Sequence, residues 1–441
     1  MASPARPVMA HVNLIPKIGG MPLGAAAAAG TPPLANLSYQ QFRANDDQLG
    51  RYWPEVPCLY LASPTSTLLP DTVQRWQGLQ FVTAVCPCSG LSGNNTATTG
   101  AHARGAGAAK NLWMVETARL VLGQLRPRVF VGENAAELAT ASGRKVVERL
   151  AEVGRAAGYS MSLVKTCTSL HGLPQRRQRT FYFFWRSARP PVLPWLAVSR
   201  PPLAQHLAAI PATATQQELY IHEGRASARY RPYQFLLERD GLTHQQFYAK
   251  MAQEFPTATI TVAKLLERRG LMEECVRWLK ERFPEEGWAR GGQAHHAALQ
   301  AKLDKLRRKL GYWDDSIKFM GNCSTGVIKK NLLAVHPVED RFLSIRELLH
   351  LMGMPHDFQL DDVKNFNHIC QTVPVNTAKA WVEQVVAYCA DPAAFSTANT
   401  DILVQNNLTR RLEERGRGVK RGSSGQENGS REEGMKRKEG V

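Results

Sequence analysis

Five consecutive residues, Phe81-Val82-Thr83-Ala84-Val85, are apolar or β-branched, and the chain then breaks into Cys86-Pro87-Cys88-Ser89-Gly90. A run this short, without alternation, reads as a strand buried on both faces. The Pro, Ser and Gly after it read as a loop at the strand's carboxyl end. A second run of the same kind, Arg128-Val129-Phe130-Val131-Gly132, ends at Glu133-Asn134. Between the two, Asn111 to Leu125 carries Leu112, Val115, Ala118, Leu122 and Leu125 at helical spacing, and Pro127 stops it. Ser142 to Gly158 repeats the helical pattern with Val146, Val147, Leu150 and Val153, and Gly158 supplies a cap. Strands that need cover on both faces, alternating with amphipathic helices, predict an α/β fold with a parallel sheet between two helical layers. In such sheets ligands and chemistry gather at the carboxyl ends of the strands. A cysteine there reads either as a small buried hydrophobe or as a nucleophile.

The rest of the chain divides around this core. Residues 1–10 read as a flexible leader. His11 to Gly24 is a short apolar segment running into Gly19-Gly20, a strand followed by a turn in which glycine lets the backbone approach a ligand. Ser38 to Asn45 reads as helix and Leu59 to Ser63 as a short strand. Gly93 to Ala109, rich in Gly, Ala and Thr, reads as a flexible loop able to order over a substrate. Ser162 to Cys167 and the aromatic strand Thr180 to Trp185 flank Gln175-Arg176-Arg177-Gln178-Arg179. Arginines beside an aromatic strand suit anion contact or charge locking, with a solvated face as the alternative. Five prolines between 190 and 202 mark a linker. The region 190–335 is mostly helical and basic, as in Lys264 to Arg269 and Leu303 to Leu310, which suits either a nucleic-acid face or a solvated one. Residues 336–398 return to the style of 11–189, with Ser344 as N-cap, Glu347 three residues on, and a last helix from Thr377 to Tyr388. From 399 to 441 the composition turns to Arg, Lys, Glu, Gly and Ser, which predicts a disordered tail.

The 441-residue chain carries 55 Lys and Arg against 38 Asp and Glu, a formal net charge of +17. Such an excess suits a polyanion, nucleic acid first. Eight scattered cysteines without a CxxC pair argue against a zinc ribbon and for reduced thiols in an intracellular compartment. No apolar run approaches a membrane span. Lys436-Arg437-Lys438 suits a nuclear import signal in a eukaryotic host; a bacterial chain would be cytoplasmic.

Read in order, these stretches resemble the DNA cytosine-5 methyltransferase family. The resemblance covers roughly 11–185 and 335–390. Pro87-Cys88-Ser89-Gly90-Leu91-Ser92 matches the family's nucleophile motif, and Glu133-Asn134 its Glu-Asn-Val motif, with Ala135 for Val. Gln175, Arg177 and Arg179 match Gln-x-Arg-x-Arg. Arg341, Leu343, Ser344, Arg346, Glu347, Gly353, Pro355 and Phe358 match the motif that follows the family's variable insert, and Gln371-Thr372-Val373-Pro374 the closing one. Departures fall on the cofactor turn: Lys17 replaces its first glycine and Ile15 its phenylalanine, and no carboxylate stands near Thr31 to Leu37 for a ribose. Gln371 stands where the family has Asn. The departures suggest a divergent member, of viral or phage type.

The resemblance implies a Rossmann-like, S-adenosylmethionine-dependent methyltransferase domain with an inserted, mostly helical target-recognition domain at 190–335. It implies methyl transfer to C5 of cytosine in double-stranded DNA through a covalent adduct of Cys88 with C6 and base flipping. Glu133, Arg177 and Arg179 would complete the catalytic set. Ile18, Gly19, Gly20, Pro87, Leu112, Gln371 and Val373 would bind the cofactor, without a metal, in a monomer. An RNA-directed member, or a DNA-binding homologue with impaired catalysis and a regulatory role, is the alternative.

Overall fold

The computed structural model describes residues 9–92, 105, 107–211, 230–255, 260–284, 317–319, 324–325, 333–360 and 367–414. Nine strands form the main sheet: β1 (His11–Leu14), β2 (Ala35–Tyr39), β3 (Cys58–Leu61), β4 (Phe81–Val85), β5 (Val129–Ala135), β6 (Ser160–Cys167), β7 (Gln178–Trp185), β8 (Ile402–Asn406) and β9 (Arg411–Glu414). Their order across the sheet is β9-β8-β6-β7-β5-β4-β1-β2-β3. The pairs from β3 through β5 are parallel, as the strand–helix alternation predicts. β7 runs antiparallel between β5 and β6.

Alternate side chains of each central strand feed two cores. Phe81, Val85, Val129, Val131, Phe181 and Phe183 pack against α1 (Gly20–Ala29) and α6 (Val375–Ala390). Val82, Ala84, Phe130, Tyr182 and Phe184 face α3 (Leu112–Leu120) and α4 (Arg144–Ala157). The predicted helix after Asn111 continues as a π turn, Val121–Leu125, and Gly158 caps α4 in the left-handed conformation. Because β4 and β5 are buried on both faces, their carboxyl ends are held rigidly. That is what positions the loop at Cys88 and the side chain of Glu133.

Three expectations are corrected. Ser38 and Tyr39 are not helical: they pair with Tyr60 and Leu61 as the end of β2, and α2 starts only at Arg43 and runs to Tyr52. Pairing across the sheet overrides a weakly helical local pattern. The segment after Asn399 is not a tail up to Glu414. β8 pairs in parallel with β6, Leu403 and Val404 are buried, and Val404 joins the core under α3 and α4, a short apolar run diluted by its polar surroundings. Residues 415–441, with Lys436 to Lys438, lie outside the described residues. The linker boundary at 190 also shifts. Leu193 is buried in the α1–α6 core, and its backbone N and O bond the Gln405 side chain at 3.1 and 2.8 Å.

Within 190–335, helices at Arg231–Asp240, His244–Glu254, Val262–Arg268 and Met272–Arg282 close round a core of their own, with Tyr230, Phe247, Leu279, Val335 and Phe342. Leu303 to Leu310 lies outside the described residues, as do residues 1–8 of the leader. α5 (Ile345–Leu351) opens with the predicted capping box, Ser344 and Glu347 each accepting from the other's backbone N–H. No helix among the described residues is long and apolar enough to cross a membrane.

Candidate active site

The sheet order reverses between β4 and β1, the crevice where open α/β sheets take ligands. A cavity of about 440 Å³ opens there, lined by Lys17, Phe42, Pro87, Cys88, Trp113, Glu133, Arg177, Arg179, Gln371 and their neighbours. Four of the predicted side chains, Cys88, Glu133, Arg177 and Arg179, thus share one cavity, although they come from three separate stretches of chain.

Cys88 sits in a tight turn, its carbonyl accepting from Leu91 and Ser92 at 3.1 and 2.9 Å. Gly90 is needed for close approach: a Cβ there would stand 2.3 Å from Asn111 Oδ1. Gly105 N in turn donates to the Gly90 carbonyl at 2.8 Å, and Asn111 Nδ2 to the Gly105 carbonyl at 2.8 Å. These bonds tie down both ends of the expected covering loop, whose residues 93–104 and 106 lie outside the described ones. Cys86 is buried, and burial pushes its thiol up to about 11, which suits a structural thiol rather than a nucleophile.

Glu133 is 3 % exposed and pairs with Arg179 Nε at 2.8 Å. The pairing follows from register, since Ala135 of β5 lies opposite Arg179 of β7. Burial raises the Glu133 carboxyl above the usual range, against the pull of Arg179 and Arg177. Arg177 is also buried, donating through Nη2 to the carbonyls of Cys370 and Thr372 at 2.8 and 2.9 Å. Its Nε and Nη1 have no hydrogen-bond partner among the described residues. Burial and the charge of Arg179 lower its guanidinium to about 9, so it stays charged at neutral pH. Gln175 is buried behind the site and donates to the Leu351 carbonyl at 3.0 Å, which ties α5 to this strand.

The seven residues expected at a cofactor divide. Pro87 and Gln371 line the cavity. Gly19 adopts a φ of 108° at the start of α1, and Gly20 N donates to Thr372 Oγ1 at 2.9 Å. A Cβ on Gly20 would stand 1.8 Å from the Val373 carbonyl oxygen, so this glycine serves the packing of two chain segments. Ile18 and Val373 are buried in the apolar cores. Leu112 is 46 % exposed and lines an outer groove between α3 and α4. Its neighbour Trp113 faces the cavity instead, one residue away in helix phase. Gln41 and Phe42, in the helical turn after β2, also line the cavity, and no local pattern in the sequence marks them. Lys17, noted only as a departure, proves to be a cavity residue. Among the described residues no cluster of His, Cys, Asp or Glu could hold a metal ion.

The family model for C-5 cytosine-specific DNA methylases matches residues 69–387, well over half of the chain. The chain belongs to the family of C-5 cytosine-specific DNA methylases. Membership makes it a DNA cytosine methyltransferase, and S-adenosylmethionine dependence follows from the family. The matched span starts after β1, α1 and β2, so the turn bearing Lys17 lies outside it. No curated protein sequence matches the chain. Among solved structures, a protein described as a DNA modification methyltransferase encoded within an E. coli prophage aligns with a TM-score of 0.52 at 13% identity. That alignment covers 87% of this chain and 99% of the other. A mutant of Spodoptera frugiperda DNMT2 aligns with a TM-score of 0.45 at 11% identity, covering 86% and 99%. The prophage protein shares the fold, the Rossmann-like α/β fold of methyltransferases.

Proposed function

We propose that this methylase transfers a methyl group from S-adenosylmethionine to C5 of cytosine in double-stranded DNA, with Cys88 as nucleophile. The observation that carries the reading is the single cavity shared by Cys88, Glu133, Arg177 and Arg179. Cytosine C5 is a weak nucleophile. Addition of the Cys88 thiolate to C6 pushes electron density onto C5. Glu133, biased towards its protonated form by burial, gives its proton to N3 as that charge develops. Arg179 fixes the Glu133 carboxyl, and Arg177 keeps Nε and Nη1 for the cytosine carbonyl. After transfer a base removes the C5 proton, the C5–C6 double bond returns and Cys88 leaves. A base stacked in a duplex cannot enter such a cavity, so the target cytosine is flipped out. Residues 190–335 take the role of reading the DNA, their basic helices meeting phosphates.

The cavity suits the methyl donor in most of its parts. Phe42 and Trp113, with ring centroids 5.2 Å apart, offer an aromatic platform for a purine. Gln41 and Gln371 offer amides to hydroxyls in place of the missing carboxylate, and Pro87 and Val85 an apolar floor. When bound, the donor supplies an electrophilic methyl group. Lys17, a buried cation 4.3 Å from the centroid of the Phe42 ring, does not suit a cationic donor.

The reading is tested by transfer of labelled methyl to unmethylated duplex DNA, with structured RNA as the competing acceptor and Cys88→Ala and Cys86→Ser alongside. Label at cytosine C5 of DNA, lost in Cys88→Ala and kept in Cys86→Ser, is expected. Preference for RNA would overturn the substrate. Loss in Cys86→Ser with retention in Cys88→Ala would overturn the nucleophile. Tight DNA binding without transfer would leave a DNA-binding homologue.

A further inference from the structure

Lys17 lies in the turn from β1 to α1 with a φ of 58°, in the left-handed region that side chains other than glycine seldom adopt. Only 7 % of the residue is exposed. Its Nζ sits 4.3 Å from the centroid of the Phe42 ring, and its backbone N donates to Asp46 Oδ1 at 3.2 Å. The side chain lines the same cavity as Cys88, Glu133 and Trp113. Lys17 therefore holds a cation over the Phe42 ring.

The geometry of the reaction sets where a donor's charge must go. C5 is bonded to C6, and C6 to the Cys88 sulfur in the adduct, so a donor sulfur must reach a point a few bond lengths from Cys88. That point falls within the cavity of about 440 Å³ that Lys17 shares. A sulfonium there would share the cavity with the Lys17 ammonium, and like charges repel. Burial lowers the Lys17 ammonium from its ordinary value, against the attraction of Asp46, Cys88, Cys86 and Glu133, so the site already bears that charge at a cost.

We propose that Lys17 is a donor-selecting residue, whose ammonium on Phe42 disfavours a sulfonium and admits an uncharged thioether of the same shape. The proposal rests on the reading that this cavity is the donor site. At rest, the protein binds S-adenosylhomocysteine in preference to S-adenosylmethionine, and binding of the methyl donor requires Lys17 to leave its seat.

The test is isothermal titration calorimetry of the full chain with S-adenosylmethionine and S-adenosylhomocysteine, in the natural protein, Lys17→Met and Lys17→Gly. Methionine keeps the bulk without the charge; glycine suits the left-handed backbone and serves if the methionine variant does not fold. The natural protein is expected to favour the thioether by about tenfold or more, and Lys17→Met to bring the two ligands within about twofold of each other. Lys17→Gly is expected to bind both more tightly. An unchanged ratio in the variants would overturn the role of Lys17 while leaving the donor site standing. Failure of both ligands to bind all three proteins would overturn the donor reading and this proposal together.

Discussion

Removing the Arg341 guanidinium should destabilise the fold by up to about 3 kcal/mol at neutral pH, and the loss should fade in acid. Arg341 reaches Glu347 with two parallel bonds, Nη1 to Oε2 and Nη2 to Oε1, both 2.8 Å. Glu347 also accepts from Ser344 N at 2.8 Å and lies 3.3 Å from His336 Nε2. Burial works against its charge, but these partners outweigh burial and hold the carboxyl at about 2, from an ordinary 4.5. At ~1.4 kcal/mol per unit, that depression corresponds to about 3 kcal/mol of stability with the carboxylate ionised. The folded value is below the unfolded one, so the contribution is complete above pH 4.5 and is lost as pH falls towards 2. Arg341→Met removes the bidentate partner and leaves a buried carboxylate with only its weaker contacts. Urea unfolding of both proteins between about pH 2.5 and 7 measures the effect. Equal stability at pH 7, or a deficit that does not shrink as pH falls from 4.5 towards 2, would refute the reasoning.

Two further outcomes follow from the structure. Truncation after Asn399 should cost about 3–6 kcal/mol, because it strips buried Leu403 and Val404 from the sheet and bares the edge of β6. Truncation after Glu414 keeps β8 and β9 and serves as the control, and equal midpoints for the two truncations would refute the role of β8. DNA affinity should fall linearly on a double-logarithmic plot against salt, since a chain of net charge +17 that meets phosphates displaces counterions; a flat plot in a filter-binding assay would show that the basic helices do not bear on DNA.

Local pattern determined much of this protein. The apolar runs at 81–85 and 129–132 become β4 and β5 because each residue's burial is dictated by its immediate neighbours and the pleat. Gly158 and the Ser344–Glu347 box end and begin helices for equally local reasons. The placement of Cys88 and Glu133 at strand ends follows from those elements. What only the tertiary structure decided involves partners far apart in the chain. β8 is legible as a strand only once β6 offers an edge to pair with. Arg177 turns to the carbonyls of Cys370 and Thr372, 193 and 195 residues away in the chain. The one-residue difference between Leu112 and Trp113 depends on helix phase, which the exposed start of α3 leaves loosely specified. Lys17 reads in sequence as a lost glycine; its meaning as a buried cation on Phe42 appears only when β1, β2 and β4 bring the ring, the thiol and the ammonium to one crevice. Periodicity records which face of an element is buried, whereas the identity of what it is buried against is set by long-range packing.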